Sequence, residues 1–405
     1  MTNAGIEHIV VVGGGQAAGV ACQTLRAVSY THLRALSVVA NEPYDFYERP
    51  PLSKAALTDA DSSLPQIFSA ERQANLDISW HRPLTAKKLD PKAHELTLSD
   101  GHVLHYDRLL LATGSRARVP DEQWLNLPGV VTLRNWEDAK KLRQRLHRTK
   151  RLAMIGGGWI GLEVAASACA LGVSVDVLER QGRLCERSIG PEVSDELQAL
   201  HKQHGVSLTL NCKDLKLETA GSQQVRVVVP NMVNALFDTV VVSTGVLFNV
   251  ELAHQAGLKV GQGIIVDAFG QTSEPDIYAA GDVAQHPVLG VCPQSWSYAQ
   301  YQSACTAKSM LGAPTAYDEA PWLWSDQYDV NIQILGTWNS QLQCVVRRES
   351  KSVVFFYLDE KHRLAHMVAF NQPRAIKLGK RWLQNQRWLK PEELSDPQFK
   401  LMSLK

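Results

Sequence analysis

Two short apolar runs each end in a glycine-rich turn, and that pairing restricts what this chain can fold into more than any other feature. The first is Val10-Val11-Val12-Gly13-Gly14-Gly15-Gln16-Ala17-Ala18, and the second is Leu152-Ala153-Met154-Ile155-Gly156-Gly157-Gly158-Trp159-Ile160-Gly161. Both read as strand, tight turn and helix with the spacing G-x-G-x-x-(G/A). Gly13 and Gly156 allow the turn, and Gly15 and Gly158 let the backbone approach a pyrophosphate. Ala17 and Ala18 in the first turn, and Gly161 in the second, keep the helix close to its strand. The unpaired N–H groups of each helix start then face the anion. Two such sites imply two dinucleotides, with hydride chemistry between them.

At 405 residues the chain is too long for one ordinary core, and two or three domains are expected. Net charge is +1, so the whole molecule has no bias toward nucleic acid or a membrane surface. No apolar run approaches the roughly 18–20 residues of a membrane span. Residues 1–12 lack the basic-then-apolar plan of a signal peptide, so the sequence predicts a cytoplasmic protein. The seven cysteines (Cys22, Cys169, Cys185, Cys212, Cys292, Cys305, Cys344) show no C-x-x-C or C-x4-C spacing. They offer no sign of a dithiol pair, a zinc site or an iron–sulfur cluster.

Apolar runs alternate with helical stretches to about residue 316, the pattern of parallel α/β sheets. Val38-Val39-Ala40 and Leu109-Leu110-Leu111-Ala112-Thr113-Gly114 read as further strands of the first unit. Ser174-Val175-Asp176-Val177-Leu178-Glu179 and Val240-Val241-Val242-Ser243-Thr244-Gly245 read as strands of the second, inserted into the first. From Pro321 onward short strands follow at residues 332–336, 344–347 and 353–357, with a basic helix over 374–388 at the end. The expected fold class is α/β, with two Rossmann-like dinucleotide-binding domains and a C-terminal α+β domain. The expected boundaries are 1–114 with 245–316 for the first domain, 115–244 for the second and 317–405 for the last.

Glu179 ends its strand about 20 residues beyond the second turn, where an acid bonds the adenosine ribose of NAD and repels the 2′-phosphate of NADP. A hydrogen bond to such a charged group contributes about 1.5–3 kcal/mol. Arg180, next door, could accept that phosphate, yet NADH is the favoured reading. In the first unit Asn41 or Glu42 could reach the ribose, and Glu42 is the better acceptor. The run Thr272-Ser273-Glu274-Pro275-Asp276-Ile277-Tyr278-Ala279-Ala280-Gly281-Asp282 delivers Gly281 and Asp282 from a strand to a helix start. There the aspartate can bond a flavin's ribityl chain and the helix end can face its pyrophosphate.

On these motifs the chain resembles, over essentially its whole length, the FAD- and NADH-dependent ferredoxin reductases of the glutathione-reductase-like fold. These serve bacterial oxygenases, as the reductase components of aromatic-ring dioxygenases or as putidaredoxin reductase-like enzymes. The specific marks are Arg49-Pro50-Pro51-Leu52-Ser53-Lys54, Ala112-Thr113-Gly114-Ser115, Gly156 to Glu163, the Gly281-Asp282 run, and Pro321-Trp322-Leu323-Trp324-Ser325-Asp326-Gln327-Tyr328. The resemblance implies that Lys54 lies near flavin N5, paired with Glu163 beside the nicotinamide carboxamide. It implies flavin contacts for Arg49, Leu84, Ala112, Thr113, Gly114 and Arg134, and backbone from Trp296 at the pyrimidine edge. Trp159, Ile160 and Gly245 join the NAD site, and Trp324 lies near the electron exit. Two departures stand out. The family's flavin-ribose acid falls on Asn41, and its Glu-Ser-Trp is Gln294-Ser295-Trp296 here, which bears on flavin affinity and potential.

The implied activity is NADH:ferredoxin oxidoreduction: hydride to FAD, then two single-electron steps to a [2Fe–2S] ferredoxin. The dioxygenase system is the first expectation and a cytochrome P450 ferredoxin chain the second. Disulfide reductases and NADH peroxidases on this fold use cysteines near the flavin, and none occurs between Cys22 and Cys169. A flavoprotein that senses NADH is the alternative from a different class, and the short C-terminal domain argues against it. Ferredoxins are usually acidic, so a basic docking patch is expected. Lys140, Lys141, Arg143, Arg145, Arg148, Lys150 and Arg151 cluster but read as a solvated helix face; Lys377, Lys380, Arg381 and Arg387, with Trp324, are the docking expectation.

Overall fold

The computed structural model describes residues 6–28 and 33–404, so the N-terminal reading falls in part, at residues 1–5, outside the described residues. The chain forms two compact units: Met1–Arg49 with Leu64–Arg116 and Val246–Glu319, and Pro50–Ser63 with Ala117–Gly245 and Ala320–Lys405.

In the first unit five strands make one parallel sheet in the order Ile277–Ala279, Arg108–Leu111, His8–Val12, Ala35–Val39, Ser79–His81. Its inner strands Arg108–Leu111, His8–Val12 and Ala35–Val39 read as near-continuous apolar runs because both faces are covered. Ile9 and Val11 pack with residues of helices Gln16–Val28 and Trp296–Met310, while Val10 and Val12 pack with Leu89, Leu96 and Leu98. Those leucines belong to a three-stranded antiparallel sheet (Ala86–Asp90, Glu95–Leu98, Val103–His105) that the sequence reading did not anticipate. The first glycine turn leaves the carboxyl end of the central strand, where open α/β sheets take their ligands.

One expectation changes here. Ile277–Ala279 leads into a single 3₁₀ turn, Gly281–Val283, and the long helix begins only at Trp296. Val283 and Ala284 sink into the core, and Ala284–Gln285 pairs with Ile264–Ile265, so the chain cannot continue as helix.

The second unit repeats the plan. Its parallel sheet runs Ser207–Thr209, Ser174–Leu178, Arg151–Ile155, Thr239–Val242, Val130–Val131. A three-stranded antiparallel sheet, Lys216–Ala220, Gln224–Val229 and Val233–Phe237, covers one face: Val225, Val227, Val229 and Phe237 pack with Ala153, Ile155, Val240 and Val242. Helix Trp159–Ala170 is buried from Gly161 to Ala168, and apart from Glu163 and Ser167 that stretch is apolar or glycine, as in a helix enclosed on every side. It packs on strand Ser174–Leu178, strand Trp322–Gln327, the 3₁₀ turn Pro50–Ser53 and the short helix Ala55–Thr58.

The C-terminal part is an antiparallel sheet ordered Trp322–Gln327, Val330–Gly336, Leu364–Phe370, Ser352–Leu358, Gln343–Glu349. Helix Pro373–Gln384 lies on it, with Ala375, Ile376, Leu378 and Trp382 in the shared core. This helix stops short of the expected residue 388 and does not end the chain. Gln386 takes a positive φ of 50°, and Trp388 forms an antiparallel bridge with Arg363. A short helix, Pro391–Ser395, follows, and Trp382 Nε1–H donates to the Leu404 carbonyl at 2.7 Å, tying the end back.

Two histidines, His201 and His366, are fully buried in this unit. Burial pushes each down from the ordinary value to about 4, a hydrogen bond to Gln327 opposing the shift at His201. Their neutral forms belong to the folded state, so the unfolded chain binds more protons between pH 6.5 and about 4. Stability is therefore full above pH 6.5 and is lost as pH falls through that window, by about 3 kcal/mol per histidine. Melting temperature measured from pH 7.5 to 4.5 is expected to fall with pH, with a shallower slope in His366→Leu. An equal slope in that variant would contradict the assignment.

Candidate active site

In the first unit Gly13 has φ +140°, and a Cβ there would run into the Ala112 carbonyl. Only glycine fits, and the turn is drawn against the strand end that carries Ala112, Thr113 and Gly114. Above Gly15 the nearest group is the Arg49 guanidinium, at 3.8 Å from a hypothetical Cβ. Ala17 and Ala18 are buried, and Gly281 packs against Ala17 so closely that a Cβ would be 2.7 Å from the alanine methyl. Thr113 Oγ1 donates to the Asn249 carbonyl and Asn249 Nδ2 donates back to the Thr113 carbonyl, both at 2.8 Å. Asp282 Oδ2 accepts from Ser115 Oγ at 3.0 Å, and Leu84 donates its N–H to the Ala40 carbonyl at 2.9 Å.

Of the two ribose candidates, Asn41 is exposed and Glu42 is half-buried. Glu42 Oε1 pairs with Arg49 at 2.9 Å, and its Oε2 accepts from Tyr47 O–H at 2.6 Å. This carboxylate is therefore held rigidly, by an arginine and by a tyrosine that sequence reading missed. Trp296 opens the helix Trp296–Met310, capped by Ser295, and donates Nε1–H to Glu48 Oε1 at 3.2 Å.

The second unit builds its turn the same way. Gly156 has φ +106° and a Cβ would meet the Ser243 carbonyl; at Gly161 it would meet the Gly156 carbonyl. Gly158, at the helix N-cap, faces open space with nothing within 4 Å of a hypothetical Cβ. That is the cradle a pyrophosphate requires: two glycines closed by backbone and one left open beneath a helix start. Glu179 accepts from the N–H of Gly157 at 2.6 Å and of Gln181 at 2.7 Å, which aims its carboxylate across the turn. Trp159 Nε1–H donates to Ser188 Oγ at 3.1 Å, Ile160 is exposed, and Gly245 accepts from the Arg118 N–H at 2.9 Å. Both turns and their acids fit FAD in the first unit and NADH in the second.

One turn further along the same helix lies Glu163, only 6% exposed. Its Oε2 pairs with Lys54 Nζ at 2.9 Å and accepts from Ser53 Oγ at 2.5 Å; its Oε1 accepts from Ser325 Oγ at 2.6 Å. A buried carboxylate is tolerated only when paired and hydrogen-bonded, and here both oxygens have donors. Lys54 also donates to the Pro50 carbonyl at 3.2 Å. The structure thus brings Lys54 and Glu163 together, with Ser53 and Ser325 as partners that sequence reading named only as parts of motifs.

Trp324 stacks on Trp322 with ring centroids 5.4 Å apart, and Lys380 Nζ sits 4.6 Å over the Trp322 ring. Helix Pro373–Gln384 contains no acid and exposes Arg374, Lys377, Lys380 and Arg381. In the other basic cluster several cations are engaged: Lys140 pairs with Glu137, Arg151 pairs with Asp176, and Arg143 donates to the Asp59 carbonyl. Arg134 lies just before helix Trp136–Leu146, its N–H donating at 2.9 Å to Asp138 in the cap. Among the described residues the seven cysteines are all free, and burial raises the thiols, those of Cys292 and Cys344 to about 12.

Comparison with known proteins gives the same picture. The pyridine nucleotide-disulphide oxidoreductase family model matches residues 7–304, and the reductase C-terminal model matches 322–405. The anthranilate 1,2-dioxygenase system ferredoxin–NAD(+) reductase component of Burkholderia cepacia is 36% identical over 410 aligned positions, covering 96% of this chain and 97% of the relative. The ferredoxin reductase for the CYP199A2 system from Rhodopseudomonas palustris superposes with a TM-score of 0.91 at 31% identity, covering 98% and 99% of the two chains. Putidaredoxin reductase in its covalent putidaredoxin complex also gives 0.91, at 29% identity with 98% of each chain covered. With its two dinucleotide turns and its C-terminal antiparallel sheet, the chain belongs to the pyridine nucleotide-disulphide oxidoreductase family, as an NADH-dependent flavoprotein whose cofactors are FAD and NADH.

Proposed function

We propose that this protein is an NADH:ferredoxin oxidoreductase, the reductase component of a multicomponent aromatic-ring dioxygenase. The observation that carries the reading is the ion pair of half-buried Lys54 with buried Glu163, one helical turn past an NADH-type glycine turn, in a chain whose described residues hold no disulfide. Residues 1–114 and 245–316 carry FAD, 115–244 carry NADH, and 317–405 supply the docking surface. FAD held there would supply a centre able to accept a hydride and to pass electrons on singly, which suits a one-electron [2Fe–2S] carrier. The chain's own residues do the rest. The N–H groups after Gly158 hold the NADH pyrophosphate, and Glu179 accepts from the adenosine ribose. Glu163 orients the nicotinamide carboxamide, and the Lys54 ammonium favours the negative charge that develops on reduction. Arg49, Leu84, Thr113, Arg134, Asp282 and Trp296 hold the flavin.

The partner is an acidic ferredoxin, drawn to Arg374, Lys377, Lys380 and Arg381 beside the Trp322–Trp324 pair. No helix among the described residues is long and apolar enough to cross a membrane, and unpaired cysteines suit a reducing cytoplasm. A cytochrome P450 ferredoxin chain is the second reading, favoured by the likeness to the CYP199A2-system reductase.

Anaerobic stopped-flow tests the activity. NADH is expected to bleach the flavin rapidly with a long-wavelength charge-transfer band, and oxidised [2Fe–2S] ferredoxin to restore it far faster than oxygen does. Bleaching without fast ferredoxin turnover would favour a sensor or oxidase. Ferredoxins from dioxygenase and P450 systems, compared by kcat/KM, separate the two electron-transfer readings.

Two substitutions probe the ends of the path. Glu179→Ala removes the ribose acceptor and is expected to lower kcat/KM for NADH about tenfold or more, with NADPH affected less. An unchanged NADH to NADPH ratio would remove Glu179 from the coenzyme site. Charge reversal at Lys377 and Lys380 should raise the ferredoxin KM several-fold and flatten its salt dependence; an unchanged KM would move docking elsewhere.

A further inference from the structure

Glu163 does not end at its three donors. Ser325 Oγ, which touches Glu163 Oε1 at 2.6 Å, lies 3.0 Å from Gln327 Nε2. Gln327 Oε1 lies 2.8 Å from His201 Nε2, and His201 Nδ1 lies 3.0 Å from the Tyr328 hydroxyl. Cys169 interacts in turn with that hydroxyl. Ser325, Gln327 and His201 are all fully buried. The chain thus crosses three elements, from helix Trp159–Ala170 through strand Trp322–Gln327 to helix Pro191–Gln203. It ends at Tyr328, whose ring is stacked 3.6 Å from exposed His204.

Every link has only one possible direction. A carboxylate has no proton to give, so Ser325 must spend its single O–H on Glu163. The serine oxygen can then only accept, so Gln327 turns its amide NH₂ toward it and presents its carbonyl to His201. That carbonyl needs a donor, which fixes His201 as the Nε2–H tautomer and leaves Nδ1 to accept from Tyr328 O–H. Reversing any one member would set two buried donors or two buried acceptors face to face. The burial that keeps His201 neutral suits this arrangement, because an imidazolium could not accept at Nδ1.

Backbone conformation gives an independent reason to regard the chain as built. Tyr328 has φ +57° in the two-residue turn between strands Trp322–Gln327 and Val330–Gly336. Glycine or asparagine occupies such a position easily, and a bulky ring does not. The strain is held where the tyrosine hydroxyl meets His201, as strain at functional positions often is.

We propose that Gln327 and His201 are positioning residues for the hydride step: through Ser325 they fix the rotamer of Glu163, and with it the place of Lys54 and the nicotinamide carboxamide. The inference rests on the role given to Glu163 above. It separates these buried polar groups from mere core filling, since a core-filling role would affect stability without affecting coenzyme.

Two measurements on the FAD-loaded protein test it. Nitrogen-15 NMR of labelled histidines should show His201 as the neutral Nε2–H tautomer; the Nδ1–H tautomer would reverse the chain and overturn the proposal without any variant. Titration calorimetry with NAD⁺ and stopped-flow bleaching by NADH should then be run on Glu163→Gln, Gln327→Leu, His201→Phe and His201→Gln. Gln327→Leu and His201→Phe are expected to weaken NAD⁺ binding and slow bleaching about tenfold, in the same direction as Glu163→Gln. His201→Gln, which can still donate to Gln327, should recover part of the loss. If Glu163→Gln has the effect and the other two shift only the melting temperature, the positioning role fails and the reading of Glu163 stands. If Glu163→Gln changes neither quantity, that reading fails and the proposal falls with it.

Discussion

A single buried carboxylate organises the second unit. Glu163 lies on a helix with no exposed face from Gly161 to Ala168, so water cannot solvate its charge. The three donors that do so come from distant parts of the chain: Ser53 and Lys54 from a segment that leaves the first unit, and Ser325 from the C-terminal sheet. Removing one donor from a buried ion is costly because the charge is left uncompensated. The contact of helix Trp159–Ala170 with the Pro50–Ser53 turn and with strand Trp322–Gln327 is thus an electrostatic requirement as much as a matter of packing.

The two glycine turns are shaped by exclusion. At Gly13 and Gly156 a side chain would collide with the carbonyl of a neighbouring strand end, whereas at Gly158 it would meet nothing. Close packing on one side and open space on the other direct the first N–H groups of each helix outward. The acids proposed for the two ribose positions, Glu42 and Glu179, are each held by two donors. Such preorganisation reduces the conformational cost of binding.

Much of this was legible in the sequence, for reasons that can be stated. Steric rules at glycine are local, so the two turns and the parallel strands leading into them could be read directly. The antiparallel sheets over 86–105 and 216–237 were not, because segments such as Ala-Lys-Lys-Leu-Asp carry too little apolar periodicity to separate a strand from a loop. The resemblance supplied Lys54 with Glu163, but the residues behind Glu163 gave no local sign. One signal was present: Ser325 and Gln327 alternate along a strand, so they share a face, and polar side chains on a buried face need partners. His201, which meets them, sits on a helix whose sequence reads as an ordinary amphipathic one. The end of the C-terminal helix was misplaced because the left-handed residue at Gln386 is not a glycine.

The parallel sheet of the first unit also sets a timetable for synthesis. Its edge strand, Ile277–Ala279, and the helix Trp296–Met310 that covers one face are made long after the central strand His8–Val12. Until then Ile9, Val11 and Leu110 have no complete cover, and the intervening segments of the second unit must emerge before the first can close. A ribosome therefore carries an unfinished, apolar sheet for most of translation, a state prone to wrong pairing. The finished molecule buries Ile9, Val11 and Leu110 completely, so that exposure is confined to synthesis.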